Sequence, residues 1–490
     1  MPQATTSLFI RRSFLLRIYK PFTRKKCKSF MKKNFPTKPS IALLLAATCF
    51  TPSWSQTSKI NNDRAMSSEQ ENTPAFDFHG QATYIWQRKP SFNAAYSGPN
   101  SLVTDSEKSY SFTTTADLGL RLWQGAQLHF NPEGSQGVPL SNLKGAGGIS
   151  NSELQKGSTT SLKKYIARLF VQQRFDVGGE TEKVDARFNE LGGNYGTKRW
   201  TITAGSFSLL DYFDNNPYAK DPRAQFVNWS FLTHGAWDYP ADARGYTTGA
   251  ILEYRTLEWS LRAGRTMQPL ESNGLPLDRN LARQYGDQLE IDGNLPVALA
   301  AGPMRGRLLV FRNRIIAGSF SDAIALGGVP DVSLVRRAQT KTGWGATLEA
   351  PLGEDEGLFL RVSRNSGNLE TYAFTEIDRQ ISFGGQFTGA PWGRKQDRVG
   401  VAYAINGLSE SHRDYLAAGG QGALLGDGKL DYGNERVFEA YYRWALPEWS
   451  ARVGQLQTAL SAGFQHITSP GYNRDRGPAQ TYSLRFHSEF

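Results

Sequence analysis

The sequence predicts an all-β chain closed into an antiparallel transmembrane β-barrel, and three observations predict it. From residue 76 onward, apolar and polar residues alternate with period two in segment after segment, the mark of strands with one dry and one wet face. Aromatic residues crowd the ends of those segments, where a membrane barrel places its amphipathic rings. The chain ends on Phe490, with apolar residues at alternate positions inward from it, broken only at Ser488. Beyond residue 55 no stretch reaches the roughly 18 apolar residues of a membrane helix, and the mean hydropathy is −0.46. Strands that alternate apolar-out and polar-in reconcile a membrane protein with that hydropathy.

In chain order, residues 1–55 read as a cleaved presequence. Two basic clusters precede the apolar run from Ile41 to Phe50, and small residues follow at Ser53 and Ser55, the order of a secretory signal. Met31-Lys-Lys opens a signal of ordinary length by itself, so either Met31 is the true start or the signal is extended. A lipid anchor on Cys49 is disfavoured by Thr48, which stands where Gly or Ala is expected. The mature start is expected at Gln56, and Cys27 and Cys49, the two cysteines of the chain, then leave with the presequence. The charge balance points the same way. Of the 56 Lys and Arg, 11 fall within residues 1–55, which hold no Asp or Glu, so the remainder carries 45 of each sign. The formal +11 is thus a targeting segment, and a nucleic-acid partner, which needs a basic excess in the working protein, is excluded.

Residues 56–75 are polar and aperiodic and are expected to form a flexible periplasmic lead-in to a barrel over 76–490. Phe76, Phe78, Gly80, Ala82, Tyr84 and Trp86 then share one face, with Asp77, His79, Gln81 and Thr83 on the other. The alternation returns from Phe112 to Leu122, and after a turn at Trp123-Gln124-Gly125 it continues through Ala126, Leu128 and Phe130, which makes a hairpin. Twelve more segments follow at 165–175, 200–207, 246–254, 259–263, 307–315, 343–348, 358–363, 381–387, 399–405, 437–444, 459–467 and 482–490, fifteen in all. Trp86, Trp123, Trp200, Trp259, Trp344, Trp392, Trp444 and Trp449 stand near segment ends. Polar, Gly-rich stretches at 131–160 and 407–434 read as long outer loops. A bilayer supplies no water for an open sheet edge, so the last strand must pair with the first. At roughly 25–28 residues per strand with its connections, built on strands of about 9–11 residues, the chain predicts 16 strands, with 18 also compatible. Sixteen enclose an aqueous lumen.

The block from Phe207 to Gly245 carries the most chemistry. It mixes Asp211, Asp214, Asn215, Asn216, Asp221, Arg223, Asn228 and Asp238 with Tyr212, Tyr218, Trp229 and Trp237. Amides and carboxylates bond sugar hydroxyls while aromatic rings stack on the apolar faces of a pyranose. A long loop folding into the lumen with these side chains would suit carbohydrate. The competing reading is a loop that braces the wall, its Asn and Asp making turn hydrogen bonds. Further pore-lining candidates are Arg168, which shares a polar face with Gln172 and Arg174, Arg312, which shares a strand face with Arg314, and Arg361. The alternative for each arginine is an interfacial position meeting lipopolysaccharide phosphates.

Six motifs in fixed order make the sequence similar to the carbohydrate-selective porin family of the OprB type. They are Gly80-Gln-Ala-Thr-Tyr-Ile-Trp-Gln87, Tyr96-Ser-Gly-Pro-Asn-Ser-Leu102, the block from Asp211 to Gly245, Asn406-Gly-Leu-Ser-Glu-Ser-His-Arg-Asp-Tyr415, Leu425-Gly-Asp-Gly-Lys429 and Pro470-Gly-Tyr-Asn-Arg-Asp-Arg-Gly-Pro478. The resemblance covers about residues 76–490. It implies a 16-stranded outer-membrane channel for passive diffusion of monosaccharides or other small polyols, and a final strand ending on Phe490 that presents a sorting signal to the barrel insertion machinery. A Trp-Gly-Gly segment associated with glucose-selective members is missing from residues 56–75, which leaves the identity of the sugar open.

A diffusion pore needs no catalytic residue and no cofactor, only a constriction that binds solute weakly enough to release it. His487-Ser488-Glu489 does not make a hydrolase, because adjacent strand residues point to opposite faces. The six His show no metal-ligand spacing, and a 22-strand gated transporter with a plug needs more chain. The alternative solutes are small carboxylates or aromatic acids. Outer-membrane lipid and lipopolysaccharide are the expected surroundings, and a homotrimer and a monomer are both compatible with the sequence.

Overall fold

The computed structural model describes residues 75–299, 301–447 and 456–490. The presequence, most of the lead-in and Trp449 lie outside the described residues. Sixteen antiparallel strands form one closed sheet in which each strand pairs with its sequence neighbours and β1 pairs with β16. The strands are β1 (Phe76–Lys89), β2 (Glu107–Trp123), β3 (Ala126–Val138), β4 (Lys163–Val184), β5 (Gly193–Phe207), β6 (Thr247–Arg255), β7 (Trp259–Met267), β8 (Tyr285–Leu299), β9 (Gly302–Ala317), β10 (Arg337–Gly353), β11 (Glu356–Asn365), β12 (Arg379–Gly389), β13 (Arg394–Gly407), β14 (Glu435–Ala445), β15 (Gln457–Thr468) and β16 (Ala479–Glu489). The chain is therefore a 16-stranded barrel, and the 18-strand option falls away.

Alternation decides which way each side chain points. On β2, Ser109, Ser111, Thr113, Thr115 and Asp117 are buried toward the lumen, while Leu120 and Leu122 are exposed on the outside. The outer surface is a band of Leu, Ile, Val and Phe, as on Leu308 and Val310 of β9 or Leu358 and Leu360 of β11. Such a surface suits hydrocarbon and not water.

Closure follows the register Gln81↔Glu489 through Arg88↔Tyr482. Gly80 and Phe490 exchange backbone hydrogen bonds of 3.1 and 3.0 Å, and the Phe490 ring packs 5.4 Å from that of Phe78. A Cβ on Gly80 would stand 2.6 Å from the Phe490 ring, so the glycine makes room for the terminal side chain.

One end of the barrel has short turns and the other long loops. The β2–β3 turn is two residues, Gln124 and Gly125. Gly125 has φ +76°, and a Cβ there would lie 2.4 Å from the Arg174 carbonyl oxygen, so glycine is required. At the opposite end run residues 90–106, 139–162, 208–246, 268–284, 318–336, 366–378, 408–434 and 469–478. Two of them carry short helices, α1 (Phe320–Ala325) and α2 (Glu410–Ala417).

The hydrophobic core lies inside the barrel and is built by those loops. Phe213, Trp229, Leu232, Trp237, Tyr239 and Phe374 pack together with Phe320, Tyr415, Leu424 and Tyr472. A second cluster sets Tyr218, Phe226 and Phe231 against Phe359 and Tyr441 of the wall. Three of the sequence motifs meet as a latch over the β16–β1 seam. Asn100 donates to the carbonyls of Gly422 and Leu425, Asn473 donates to Asp427 at 3.0 Å, and Arg476 donates to the carbonyls of Tyr96 and Leu102.

Candidate functional site

Residues 208–246 enter the lumen between β5 and β6 and cross it, because the buried polar residues of facing strands satisfy the loop's backbone. On β14, Glu439 accepts from the Val227 and Asn228 amides at 2.6 and 2.9 Å. On β16, Arg485 donates to the carbonyls of Pro222 and Gln225 at 2.8 and 2.6 Å. On β11, Arg361 donates to the carbonyls of Phe231 and Ala219 at 2.9 and 2.7 Å and pairs with Asp214 at 2.8 Å. Glu290 of β8 accepts from the Asp214 amide at 2.7 Å. A loop without regular structure can be buried only if its N–H and C=O groups are paired, and here the wall pairs them.

The candidate residues divide between bracing and lining. Asn216 accepts from the Tyr218 and Ala219 amides, Asn228 accepts from the Ser230 amide and donates to Gln465, and Asp238 accepts from the Tyr372 and Ala373 amides and pairs with Lys341 at 2.9 Å. These three and Arg361 are buried supports. Arg312 is a correction: it lies on the outer face of β9, exposed, and pairs with Asp287 at 2.5 Å. Its neighbours Phe311 and Asn313 are the inward ones, and the sequence lacked the strand parity that separates them.

Asp211, Asn215, Asp221, Arg223, Trp229 and Arg168 do line one cavity of about 800 Å³ in the lumen. Arg168 of β4 holds Asp211 with two parallel bonds of 2.7 Å. Arg223 reaches Glu133 of β3 at 2.9 Å, Glu153 at 3.0 Å and Thr115 of β2 at 2.9 Å. Tyr246 donates to Glu133 at 2.8 Å, and its ring lies between Lys156 and Arg168, 5.4 and 5.3 Å from the two cations. Glu153, in loop 139–162, feels burial that raises its pKa, but Arg223 and Lys156 outweigh burial and hold it below the usual carboxylate range. Glu153 therefore stays ionised beside fixed cations.

Glu153, Lys156 and Tyr246 are the site residues that sequence reasoning missed. Residues 131–160 read as an outer loop, but 131–138 continue β3 and loop 139–162 folds inward beside loop 208–246, with the Ser152 and Trp229 amides donating to the carbonyls of Val227 and Ile149. The spacing Glu153-x-x-Lys156 in a Gly-rich stretch was the available signal. Below this level the cavity continues past Arg174, paired with Glu190 at 2.5 Å, and Arg199, paired with Glu182 at 2.7 Å. Glu190 sits in the connection 185–192, which turns back into the lumen. Trp229, Phe374 and Tyr239 form a stack with centroid separations of 4.6 Å at each step, and all three also line the cavity. The lining thus alternates donors, acceptors and aromatic faces, the set that a polyhydroxylated solute can use.

Comparison with known proteins places these features among porins. Residues 105–490 match the carbohydrate-selective porin, OprB family. The solved high-pH structure of Pseudomonas putida OprB is similar with a TM-score of 0.61 at 16% identity, covering 85% of this chain and 94% of that one. Acinetobacter baumannii OccAB1 gives 0.45 at 9% identity, over 87% and 99%, and Pseudomonas aeruginosa OccK2 gives 0.42 at 11%, over 85% and 97%. No curated protein matches in sequence.

Proposed function

The chain belongs to the carbohydrate-selective porin family of the OprB type, a family of outer-membrane channels and not of enzymes, and from that premise we propose that it passes monosaccharides and similar small neutral polyols by passive diffusion. The observation that carries this reading is the lumen cavity in which Arg168–Asp211 and Arg223–Glu153–Lys156 gather around Tyr246. A hydroxyl both donates and accepts, so a sugar can exchange bonds to water for bonds to guanidinium and carboxylate without net desolvation of a charge. Tyr246 and Trp229, largely buried but lining the cavity, offer apolar edges to the ring carbons. Each contact is individually weak, which lets the solute leave. In this reading the long loops face outward, the short turns face the periplasm, and residues 1–55 are the cleaved signal.

A second solute class is favoured by one feature. The cavity is lined by eleven Lys and Arg against eight Asp and Glu, an excess that would attract small carboxylates or aromatic acids.

Single-channel conductance in a planar bilayer separates the two. A carbohydrate pore is expected to show weak ion selectivity and saturable block by a neutral sugar, and Tyr246→Ala is expected to weaken that block about tenfold through loss of an apolar edge and of the hydrogen bond that holds Glu133. Block by organic anions without block by sugar assigns the channel to carboxylates. A protein that forms no channel removes both readings.

A further inference from the structure

The outward face of the barrel differs sharply between its two rims. At the turn end it carries Trp123, Trp200, Trp259, Trp392 and Trp444, all exposed, an aromatic belt of the kind found at headgroup level. At the loop end several outward positions on β1, β2, β7, β9, β11 and β12 are basic.

Four of these basic residues form two cross-strand pairs of like charge. Arg88 of β1 stands directly opposite Lys108 of β2, and Arg364 of β11 stands directly opposite Arg379 of β12. Their sequence neighbours Gln87, Lys89, Ser109, Ser363, Asn365 and Gln380 are buried toward the lumen, so all four cations point away from it. Among the described residues, none of the four side chains has an ion pair or hydrogen bond within the chain. Like charges directly opposite on a sheet destabilise it, so a strand ladder that places them there calls for an external anion.

On β7 to β9 the same rim holds a partly organised cluster. Arg265 and Arg312 share the single carboxylate of Asp287, at 2.7 and 2.5 Å, and lie 4.2 and 5.7 Å from the Tyr285 ring. Arg314, two residues further along the same face, has no ion pair among the described residues and keeps the cluster cationic. Below all these positions the outer face is hydrocarbon-like, with Leu308 and Val310 under Arg312 and Leu360 under Arg364.

We propose that this rim binds the phosphate groups of the anionic lipid in the leaflet around the loop end. The planar guanidinium fork matches a phosphate with two parallel bonds, and one phosphate seated between Arg364 and Arg379 relieves the repulsion between them. A soluble anion has no reason to collect on the lipid-facing side of the wall, whereas a phosphorylated headgroup lies at that depth. A second copy of the chain is a poorer occupant, because the cations are spread over β1, β2, β7, β9, β11 and β12 and so exceed one protomer interface. The assignment rests on the outer-membrane reading above.

The test uses the refolded chain in detergent micelles, with retained lipid counted by native mass spectrometry. Diphosphorylated lipid A, the same lipid without phosphates, and inorganic phosphate are the three probes. The phosphorylated lipid is expected to be retained, with the dephosphorylated one at least about tenfold weaker, and the pairs R364Q/R379Q and R88Q/K108Q are each expected to lower retention about tenfold. Equal retention of both lipids, or unaltered retention by both variant pairs, overturns the proposal. Displacement by millimolar inorganic phosphate overturns it in favour of a soluble anion. A changed protomer number with unaltered lipid retention overturns it in favour of a protein contact. The variants lie outside the lumen, so unchanged conductance and sugar block establish that they fold. Loss of the porin reading itself would show instead as absent sugar block in the unaltered chain.

Discussion

Arg168, Arg312 and Arg361 are the same residue type on three strands of one barrel, β4, β9 and β11, and each does something different. Arg168 lines the cavity with Asp211, Arg312 faces outward to Asp287, and Arg361 is fully buried under loop 208–246. Local sequence carries none of this difference. Strand parity separates Arg312 from the others, but the partner that makes Arg361 a brace, Asp214, lies 147 positions away in a loop, beyond the reach of any periodicity. Burial also fixes the chemistry: it raises the Asp214 carboxyl, and Arg361 outweighs it, bringing the pKa down to about 2. The pair is fully buried, so removing one member leaves the other uncompensated. Arg361→Met is expected to cost about 3–5 kcal/mol, read as a lower denaturant midpoint for the refolded barrel. The freed loop is expected to add current noise in single channels. Conductance as quiet as that of the unaltered chain would show that the loop holds its place without the arginine.

Among the elements, fifteen strands were legible by alternation and one was not. β8 reads Tyr-Gly-Asp-Gln-Leu-Glu-Ile-Asp-Gly-Asn-Leu-Pro-Val-Ala-Leu: its inward face holds Gln288, Glu290 and Asp292, while Asp287 and Gly293 break its outward face, so the sheet and not its own pattern makes it a strand. Loops were less legible still, because their order comes from distant partners. Loop 408–434 docks on loop 366–378 through α2, whose Ser409 accepts from the His412 amide at 3.1 Å, and through His412, which pairs with Asp378 at 2.9 Å and stacks on Phe320 at 4.2 Å. Burial lowers the His412 pKa, but Asp378 and Glu376 overcome it and push it up to about 9. Burial likewise raises the Asp378 carboxyl, and His412 overrides it, holding it below the usual range. A raised histidine stabilises the docked state fully below its unfolded value of about 6.5, and that stability is lost as pH rises through about 9. A depressed carboxyl stabilises above its unfolded value of about 3.9 and fails as pH falls toward its lower folded value. Amide exchange across 408–434, corrected for intrinsic rates, is therefore expected to be slowest near pH 5 to 6 and to rise on both sides. His412→Gln is expected to abolish the alkaline limb and to cost about 3 kcal/mol of local stability at pH 6. An alkaline limb that persists in the variant would place the titrating group elsewhere.

At the scale of the whole molecule, closure is the constraint to which everything else answers. A lumen wide enough for a sugar needs sixteen strands, and sixteen strands in hydrocarbon tolerate no open edge. The last strand must therefore pair with the first across more than four hundred residues, beyond the fifteen pairings between sequence neighbours. The seam shows how the chain ensures it: Gly80 gives up a side chain so that the Phe490 ring lies over β1 against Phe78, and the latch of Asn100, Asp427, Asn473 and Arg476 ties the loops at its other end. This division explains why the fold was more legible than the site. Alternation and the terminal aromatic both follow from the bilayer, which acts on every strand alike, whereas the lumen cavity depends on which individual loop residues meet. Phe490→Ser keeps every lumen residue and removes one apolar anchor from the seam. It is expected to leave conductance and sugar block per open channel unchanged while lowering the yield of closed barrels severalfold. The yield is read as the heat-modifiable gel band after refolding into lipid vesicles and, separately, in cell outer-membrane fractions. A deficit in both settings assigns the residue to seam packing, and a deficit confined to cells assigns it to recognition by the insertion machinery. Full yield in both would mean that pairing of β1 with β16 closes the barrel without help from the terminal ring.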